Sequence, residues 1–163
     1  MADDLTIRGL RPDDRGVIES ILRGVGVFRE DEVRIGLELV DETLQPGPST
    51  DYRWHLAERN GIVVGFACHG PVPMTEGAFD LYWIAVDPRD QGLGTAASLE
   101  RAVVEQSRSA GARWILAETS STPAYARANA FYLARGYARV GWIPDFYRPG
   151  DGRITYGKRL DRE

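Results

Sequence analysis

A loop that combines two glycines with an arginine is the part of the sequence whose residue types most plainly indicate chemistry. Gly92 and Gly94 stand where a predicted strand gives way to a predicted helix, and Arg89 lies three residues before Gly92. Glycines allow a phosphate to approach backbone N–H groups, and the positive end of the helix dipole favours negative charge there. The loop from Arg89 to Gly94 therefore favours an anionic oxygen group as its ligand.

Other interpretations of this loop stay open on these residues alone. An isolated Gly-x-Gly is also typical of a tight turn without a ligand, whereas a P-loop is excluded because no lysine precedes Thr95. The run from Gly92 to Ala97 matches the dinucleotide pattern G-x-G-x-x-A, with Glu118 at the end of the next strand as a ribose-binding acid. Against a Rossmann domain, the residues from Asp87 to Gln91 separate the strand from the first glycine, and the chain offers few strand–helix units.

The elements that must position this loop can be predicted from hydrophobic periodicity and turn residues. Asn60-Gly61 is typical of a two-residue hairpin turn. Strands are predicted at residues 5–8, 52–59, 62–69, 79–86, 113–119, 137–142 and 153–160, and helices from Pro12 to the Gly24–Gly26 break and at 30–44, 92–110 and 123–136. The order β-α-α-β-β-β-α-β-α-β-β predicts an α/β (α+β) fold whose mixed sheet has antiparallel hairpins and one parallel pair.

Composition and charge limit the classes of protein and partner. The chain has 163 residues, of which 43% are hydrophobic and 27% charged, which is typical of one soluble domain with its own core. No apolar run is long enough to span a membrane, and the acidic start MADDLTIRGL does not resemble a targeting peptide. We therefore expect a cytoplasmic protein without a membrane partner. A net charge of -4 argues against nucleic acid and is compatible with a cationic substrate.

The cysteine and histidine residues exclude two further kinds of site. Cys68 is the only cysteine, so neither an intrachain disulfide nor a zinc site built on cysteines can form. His55 and His69 lie on predicted strands without ligand-spaced partners, so we expect no metal site. We expect Cys68 to be a small buried apolar residue.

Two motifs in this order resemble the GNAT superfamily of N-acetyltransferases. R-D-Q-G-L-G is similar to the family signature Q/R-x-x-G-x-G/A, and the preceding L-x-x-I-A-V-x-P resembles the strand that leads into it. The segment AYARANAFYLARGY is similar to a later family helix with the pattern A-x-x-F/L-Y-x-x-x-G-F/Y, matched here by Ala128, Phe131, Tyr132, Gly136 and Tyr137. The resemblance implies a single acyl-CoA N-acyltransferase domain over residues 1–163. Its fold would be a mixed, mostly antiparallel sheet with a splayed parallel strand pair and flanking helices.

The resemblance also implies acetyl-CoA as acyl donor, bound where the strands at 79–86 and 113–119 splay apart. The amide-rich pantetheine arm would pair with strand backbone at Ile84, Ala85 and Val86. The pyrophosphate would accept N–H bonds from the loop between that strand and the following helix. The implied loop contacts are Arg89, Gln91, Gly92, Leu93, Gly94 and Thr95.

The reaction implied by the resemblance is direct attack of a neutral amine on the thioester in a ternary complex. A proton donor helps the thiolate to leave, and the tyrosine that the family usually places on the later helix matches Tyr132. Asp80 and Glu118 are the two candidates for a base, although each also fits a solvated charge at a strand end. Many members have an asparagine at the position of Tyr125, where it contacts the cofactor arm. In this sequence Asn129, one helical turn before Tyr132, is the weaker candidate for a cofactor contact.

Two segments resemble the family's acceptor-binding region, residues 24–31 and 142–151. Both mix aromatic and charged residues, which suits a small zwitterionic or aromatic amine. The same mixture also suits a loop that packs on itself or on a second subunit, so a homodimer is among the arrangements it allows. The resulting hypothesis is an N-acetyltransferase acting on a primary amine, with a small molecule favoured over a protein or aminoacyl-tRNA. The alternatives are a non-catalytic acyl-CoA-binding module and an NAD-binding domain.

Overall fold

The computed structural model describes residues 4–47 and 50–161, and its elements follow the predicted order. The strands are β1 Leu5–Arg8, β2 Arg53–Arg59, β3 Ile62–Pro71, β4 Ala78–Val86, β5 Trp114–Ser120, β6 Ala138–Arg148 and β7 Asp151–Arg159. The helices are α1 Arg15–Val25, α2 Glu30–Leu44, α3 Thr95–Ser109 and α4 Ala126–Ala134. Short 3₁₀ turns at Pro12–Asp14, Pro88–Asp90 and Pro123–Tyr125 precede α1, α3 and α4.

Two predicted boundaries were wrong, each for a backbone reason. α3 begins at Thr95 rather than at residue 92, because Gly92 and Gly94 adopt φ angles of 82° and 83°, which a right-handed helix does not use. β6 continues to Arg148 where the sequence indicated a loop. Its pairing with β7 shifts register between Ile143 and Arg148, and such a bulge is not visible in the hydrophobic pattern.

The strands form one seven-stranded sheet in the order β1-β2-β3-β4-β5-β7-β6. β1–β2, β2–β3, β5–β7 and β6–β7 are antiparallel. β4 and β5 are parallel, with Ala78–Asp80 opposite Trp114–Leu116. The predicted mixed, mostly antiparallel sheet with one parallel pair is confirmed, and it does not match the doubly wound sheet of a Rossmann domain.

The chain divides into two compact units, and the first comprises residues 1–70 and 83–103. It contains β1 to β3, the end of β4, α1, α2 and the start of α3. α1 buries Ile18, Ile21 and Leu22, which are at most 1% exposed and pack in one cluster with Leu56 and Phe66. Burial of each such side chain contributes roughly 1.5–3 kcal/mol to the stability of the fold. This burial holds α1 and α2 against this part of the sheet.

The second unit comprises residues 71–82 and 104–163 and contains the start of β4, the end of α3, β5 to β7 and α4. Ile115 and Ala117 of β5 are buried, as are three tyrosines, Tyr132, Tyr137 and Tyr156. β6, which is the last strand in the sheet order, is exposed along nearly its whole length.

Among the residues described, no helix is long and apolar enough to cross a lipid bilayer. The same residues contain no cluster of three or more histidine, cysteine, aspartate or glutamate side chains that could hold a metal ion. Cys68 is buried as expected, and burial raises the pKa of its thiol above the ordinary range.

Candidate functional site

The glycine loop of the first unit lies between β4 and α3 and presents its middle to solvent. Gly92, Leu93 and Gly94 are exposed, Gln91 is half-buried, and Thr95 at the start of α3 is 1% exposed. The carbonyl oxygen of Gly94 accepts the helical hydrogen bond from Ser98 N–H at 3.0 Å. The loop therefore leads directly into a helix N-terminus, the arrangement that binds anions through backbone N–H groups.

Gly92 and Gly94 are required by backbone conformation rather than by lack of space. Both have positive φ angles, and a methyl group on either Cα would meet no atom within 4 Å. An L-residue in this left-handed region costs roughly 1–2 kcal/mol. Because the space beside both Cα atoms is open, it is available to a phosphate group, and a side chain would intrude on it.

Arg89 lies on the solvent side of the loop and pairs with Asp87. Its guanidinium donates to the Asp87 carboxylate at 2.8 and 3.1 Å, and Asp87 also accepts from Arg89 N–H at 2.9 Å. Hydrogen bonding to Arg89 holds the pKa of Asp87 below its usual range. Because 89% of the Arg89 side chain is exposed, this is a weak surface pair that a phosphate can displace.

The loop ends are held by a buried network that the sequence did not predict. Arg59 of β2 donates to Asp90 at 2.7 Å and to Thr95 Oγ1 at 3.0 Å, and the Thr95 hydroxyl donates to Asp90. Thr95 therefore directs its hydroxyl inward, and only its backbone is left to meet a ligand. No short motif links residue 59 to this loop, so only the strand pairing could have revealed the contact.

Ile84, Ala85 and Val86, the predicted pantetheine contacts, form the end of β4. Ala85 and Val86 are buried and Ile84 is half-buried. The parallel pairing of β4 covers Ala78–Asp80, so these three residues lie beyond it in the strand. Asp87, which follows them, is tied to β3 by its N–H bond to the Val64 carbonyl at 2.7 Å.

Tyr132, the predicted acid, lies in an aromatic cluster of the second unit. Its side chain is on α4, and the residue is 6% exposed. The ring contacts Phe131 and Tyr137 edge-on, with centroids 5.6 and 5.3 Å apart, and stacks with Tyr156 at 5.4 Å. Three neighbouring rings thus restrict the orientation of the Tyr132 phenol.

Asn129, the weaker predicted cofactor contact, is engaged by its own unit. Its amide nitrogen donates to the carbonyl oxygens of Tyr125 and Ser120 at 2.8 and 3.2 Å, and its Oδ1 accepts from the Tyr156 hydroxyl at 2.7 Å. Asn129 thereby orients Tyr156, which stacks on Tyr132. Tyr156 is a member of this cluster that the sequence did not single out.

Asp80 and Glu118, the two candidate bases, are electrostatically coupled within the second unit. Burial raises the pKa of Asp80, and the negative charge of Glu118 raises it further. Glu118 lies at the more exposed position, with Arg153 Nη1 3.6 Å from its carboxylate. A carboxylate with a raised pKa is the stronger proton acceptor, so burial and charge favour Asp80 of the two candidates.

Asp151, the first residue of β7, is a buried carboxylate beside the end of β5. Asp151 accepts from Ser120 Oγ at 2.5 Å and from Arg148 Nη1 at 3.2 Å. The backbone of the same strand end bonds to β7, from Ser121 N–H to the Gly152 carbonyl at 2.9 Å. These contacts fix the strand end that follows Glu118.

The two predicted acceptor segments differ in burial. Phe28, between α1 and α2, is half-buried and meets Trp83 of β4 edge-on at 5.2 Å. In β6, Trp142 and Phe146 are exposed by 47% and 46%. Arginine guanidinium groups lie over both rings, Arg139 at 5.0 Å from Trp142 and Arg153 at 4.4 Å from Phe146.

His55 and His69 of the first unit form a stacked pair that the sequence did not predict. Their ring centroids are 5.2 Å apart, and His69 is fully buried. Burial, assisted by the charges of His55 and Arg53, lowers the pKa of His69 to about 3. His69 is therefore neutral in the folded protein near neutral pH.

Comparison with known proteins gives one family. The family model for the acetyltransferase (GNAT) domain matches residues 50–139. A crystal structure from Desulfovibrio desulfuricans, of a protein assigned to the GNAT acetyltransferases, shares 36% sequence identity and superposes with a TM-score of 0.91 over 95% of this chain and 98% of that one. No curated protein sequence matches.

Two more distant structures share the fold and carry the acyl donor or its product. An aminoglycoside 6'-N-acetyltransferase complexed with coenzyme A has 17% identity and a TM-score of 0.77, over 97% of this chain and 99% of that one. A protein from Salmonella typhimurium assigned as an acetyltransferase, with its cofactor acetyl-CoA, has 19% identity and a TM-score of 0.74, over 98% and 95%.

Proposed function

Because the chain belongs to the GNAT family of acetyltransferases, we propose that it transfers the acetyl group of acetyl-CoA to the primary amine of a small molecule. Acetyl-CoA is the acyl donor of the family to which it belongs. The observation that carries the proposal is the open glycine loop leading into α3, which fits the donor's pyrophosphate. The whole chain, residues 1–163, acts in this proposal as one acyltransferase domain of the cytoplasm.

The loop would hold the donor through backbone groups and one exposed cation. Gln91, Gly92, Leu93, Gly94 and Thr95 would offer N–H groups to the pyrophosphate. Arg89 would exchange its exposed pair with Asp87 for a phosphate oxygen. The strand backbone from Ile84 through Ala85 to Val86 would pair with the amides of the pantetheine arm, and Asn129 is the weaker candidate contact.

The chemical step forms a C–N bond and breaks a C–S bond. The neutral amine attacks the thioester carbonyl carbon directly, so no acetyl-enzyme forms. Tyr132 donates its phenolic proton to the departing thiolate, since a phenol and a thiol have similar acidity. Asp80 accepts the proton that the amine nitrogen loses, either directly or through water, and Glu118 supports it by keeping its pKa raised.

The charge of the protein supports an amine acceptor. The net charge of -4 favours the approach of a cation, and most alkylamines arrive protonated because their pKa is about 10. A base with a raised pKa is then useful, because it is a stronger proton acceptor than an ordinary carboxylate. We propose that the aromatic and charged side chains of residues 24–31 and 142–151 recognise the rest of the acceptor, or that the second segment contacts a second subunit.

The test is a thiol-release assay with acetyl-CoA across small primary amines, amino sugars and peptides with free N-termini. We expect release of coenzyme A with at least one small amine. Release with peptides alone would reject the small-molecule acceptor and keep acetyl transfer. Binding of acetyl-CoA without release across the whole panel would support the alternative of a non-catalytic acyl-CoA-binding module.

A further inference from the structure

Arg59 bonds to the residues at both ends of the glycine loop although it lies outside every sequence motif. We propose that Arg59 is a positioning residue that holds the glycine loop in its binding conformation by fixing Asp90 and Thr95 at the two ends of the loop. This inference rests on the proposed function, because it assumes that residues 91–94 receive the pyrophosphate of acetyl-CoA.

We call the hydrogen-bonded side chains of Arg59, Asp90 and Thr95 the clamp, because they join the two ends of the loop. Asp90 directly precedes Gln91, Thr95 directly follows Gly94, and the guanidinium of Arg59 bonds to both Asp90 and Thr95. The third side of the triangle is the hydrogen bond from the Thr95 hydroxyl to Asp90. Four loop residues are thus spanned by side chains that bond to each other and to a strand.

Burial separates this clamp from the segment that it holds. Asp90 and Thr95 are 5% and 1% exposed, and the Arg59 side chain is 13% exposed, whereas Gly92, Leu93 and Gly94 face solvent. Hydrogen bonds among buried charged and polar groups are costly to break. A loop with two flexible glycines would otherwise lose conformational entropy on binding, so fixing its ends beforehand favours affinity.

The backbone of Arg59 is held rigidly in strand β2. Arg59 is the last residue of β2, opposite Leu5 of β1 and Ile62 of β3, so its backbone is paired on both sides. The Asn60-Gly61 turn follows directly and fixes the register of the hairpin. The guanidinium therefore extends from a fixed point in the sheet rather than from a mobile loop.

The charge of Arg59 also serves an anionic ligand. Asp90 places a carboxylate one residue before the predicted phosphate contacts, and an unpaired carboxylate there would repel a pyrophosphate. The guanidinium compensates that charge while its planar fork reaches two acceptors at once, which the single ammonium group of a lysine does less well. Arg59 is thus expected to affect donor binding and to have little influence on the chemical step.

The experiment compares Arg59→Met with a matched control, Arg8→Met. Arg8 lies in the same unit, has a side chain exposed by 15%, and bonds to Asp14 and Glu58, with no hydrogen bond to the loop. We expect Arg59→Met to raise the Kd for acetyl-CoA, measured by calorimetry, roughly tenfold or more, while kcat at saturating acetyl-CoA stays within about threefold. Arg8→Met is expected to lower the melting temperature and to leave this Kd within about twofold.

Two further variants separate positioning from general destabilisation. Thr95→Val keeps the pair of Arg59 with Asp90 and removes only the hydroxyl, so we expect a smaller rise in Kd, about threefold. Arg59→Lys should restore part of the affinity lost in Arg59→Met. Thr95→Val also serves as the test variant if Arg59→Met does not fold.

Two outcomes overturn the proposal. One is an unchanged Kd in Arg59→Met, or in Thr95→Val if Arg59→Met does not fold; the other is an equal rise in Arg8→Met. The Kd measurement needs no amine, so it distinguishes this inference from the proposed function. Failure of the wild-type protein to bind acetyl-CoA counts against both, whereas binding without transfer counts against the proposed reaction alone.

Discussion

At the scale of single residues, Tyr132 and Tyr137 provide a matched pair, because both are buried in one aromatic cluster and only Tyr132 is proposed to protonate the thiolate. Tyr132→Phe should lower kcat about 100-fold or more, the usual contribution of general acid catalysis. Its Kd for acetyl-CoA should change little. Tyr137→Phe, measured in the same steady-state assay, should keep kcat within about tenfold. Equal kcat values for wild type and Tyr132→Phe would remove Tyr132 as the acid.

The coupling between Asp80 and Glu118 predicts a pH dependence with a defined sign. Asp80 is active as a base when ionised, so kcat/KM should fall as the pH drops through its raised pKa. Glu118→Gln removes a neighbouring negative charge, which lowers the pKa of Asp80 and shifts the acid limb of the profile to lower pH. Asp80→Asn should abolish that limb. An acid limb that is unchanged in Asp80→Asn and lost in Glu118→Gln would assign the base to Glu118 instead.

At the scale of elements, the conformation of the connection from β4 to α3 predicts the effect of replacing its glycines. Gly94→Ala forces alanine into a φ of 83°, which should cost roughly 1–2 kcal/mol of stability. The added methyl group also enters the open space proposed for the pyrophosphate, so KM for acetyl-CoA should rise about tenfold. Gly111→Ala is the control, because Gly111 has a φ of 85° and open space but follows the C-terminal end of α3.

In this comparison, melting temperature and KM are measured for both variants. Both should melt at a lower temperature, and only Gly94→Ala should show the higher KM. A similar rise in KM for Gly111→Ala would mean that general strain, rather than occupation of the loop, weakens donor binding.

Local patterns predicted the elements well where one residue type decides the outcome. Hydrophobic periodicity predicted α1, and Asn60-Gly61 predicted the hairpin of β2 and β3, because both signals depend on residues close in sequence. The clamp formed by Arg59 could not be predicted this way. Arg59 and Asp90 are 31 positions apart, and their contact depends on the packing of β2 against the loop, which no periodicity encodes.

The candidate site could be predicted only in part for the same reason. Motifs predicted the loop and Tyr132 as candidates, whereas Tyr156 joins the aromatic cluster of Tyr132 through the pairing of strand β7. The extension of β6 to Arg148 depends on a bulge opposite β7. These features arise from contacts between elements that are distant in the chain, so the pattern of a single sequence does not predict them.

At the scale of the whole molecule, the buried His69 predicts how folding stability responds to acid. Burial lowers the pKa of His69 to about 3 from its ordinary value of 6.5. The unfolded chain therefore binds a proton that the folded protein does not, and stability falls as the pH drops from 6.5 towards 3. Between pH 7 and pH 5, protonation of His69 in the unfolded chain should lower the free energy of unfolding by about 2 kcal/mol.

Urea unfolding at the two pH values tests this account of His69. His69→Phe removes the titrating group. Between pH 7 and pH 5, the free energy of unfolding of this variant should therefore fall by about 2 kcal/mol less than that of the wild type. His55→Phe should show a smaller difference from the wild type. The same pH dependence in His69→Phe and wild type would contradict the assignment.

Acetyl transfer to an amine is the central claim, and one mass balance tests it most directly. The protein is incubated with acetyl-CoA that carries an isotopic label in the acetyl group, together with the amine panel, and the products are analysed by mass spectrometry. We predict labelled acetyl on the nitrogen of a small primary amine, in an amount equal to the coenzyme A released, with none retained on the protein. Bound acetyl-CoA that never yields a labelled amine, or a labelled acetyl group retained covalently by the protein, would contradict the proposed reaction.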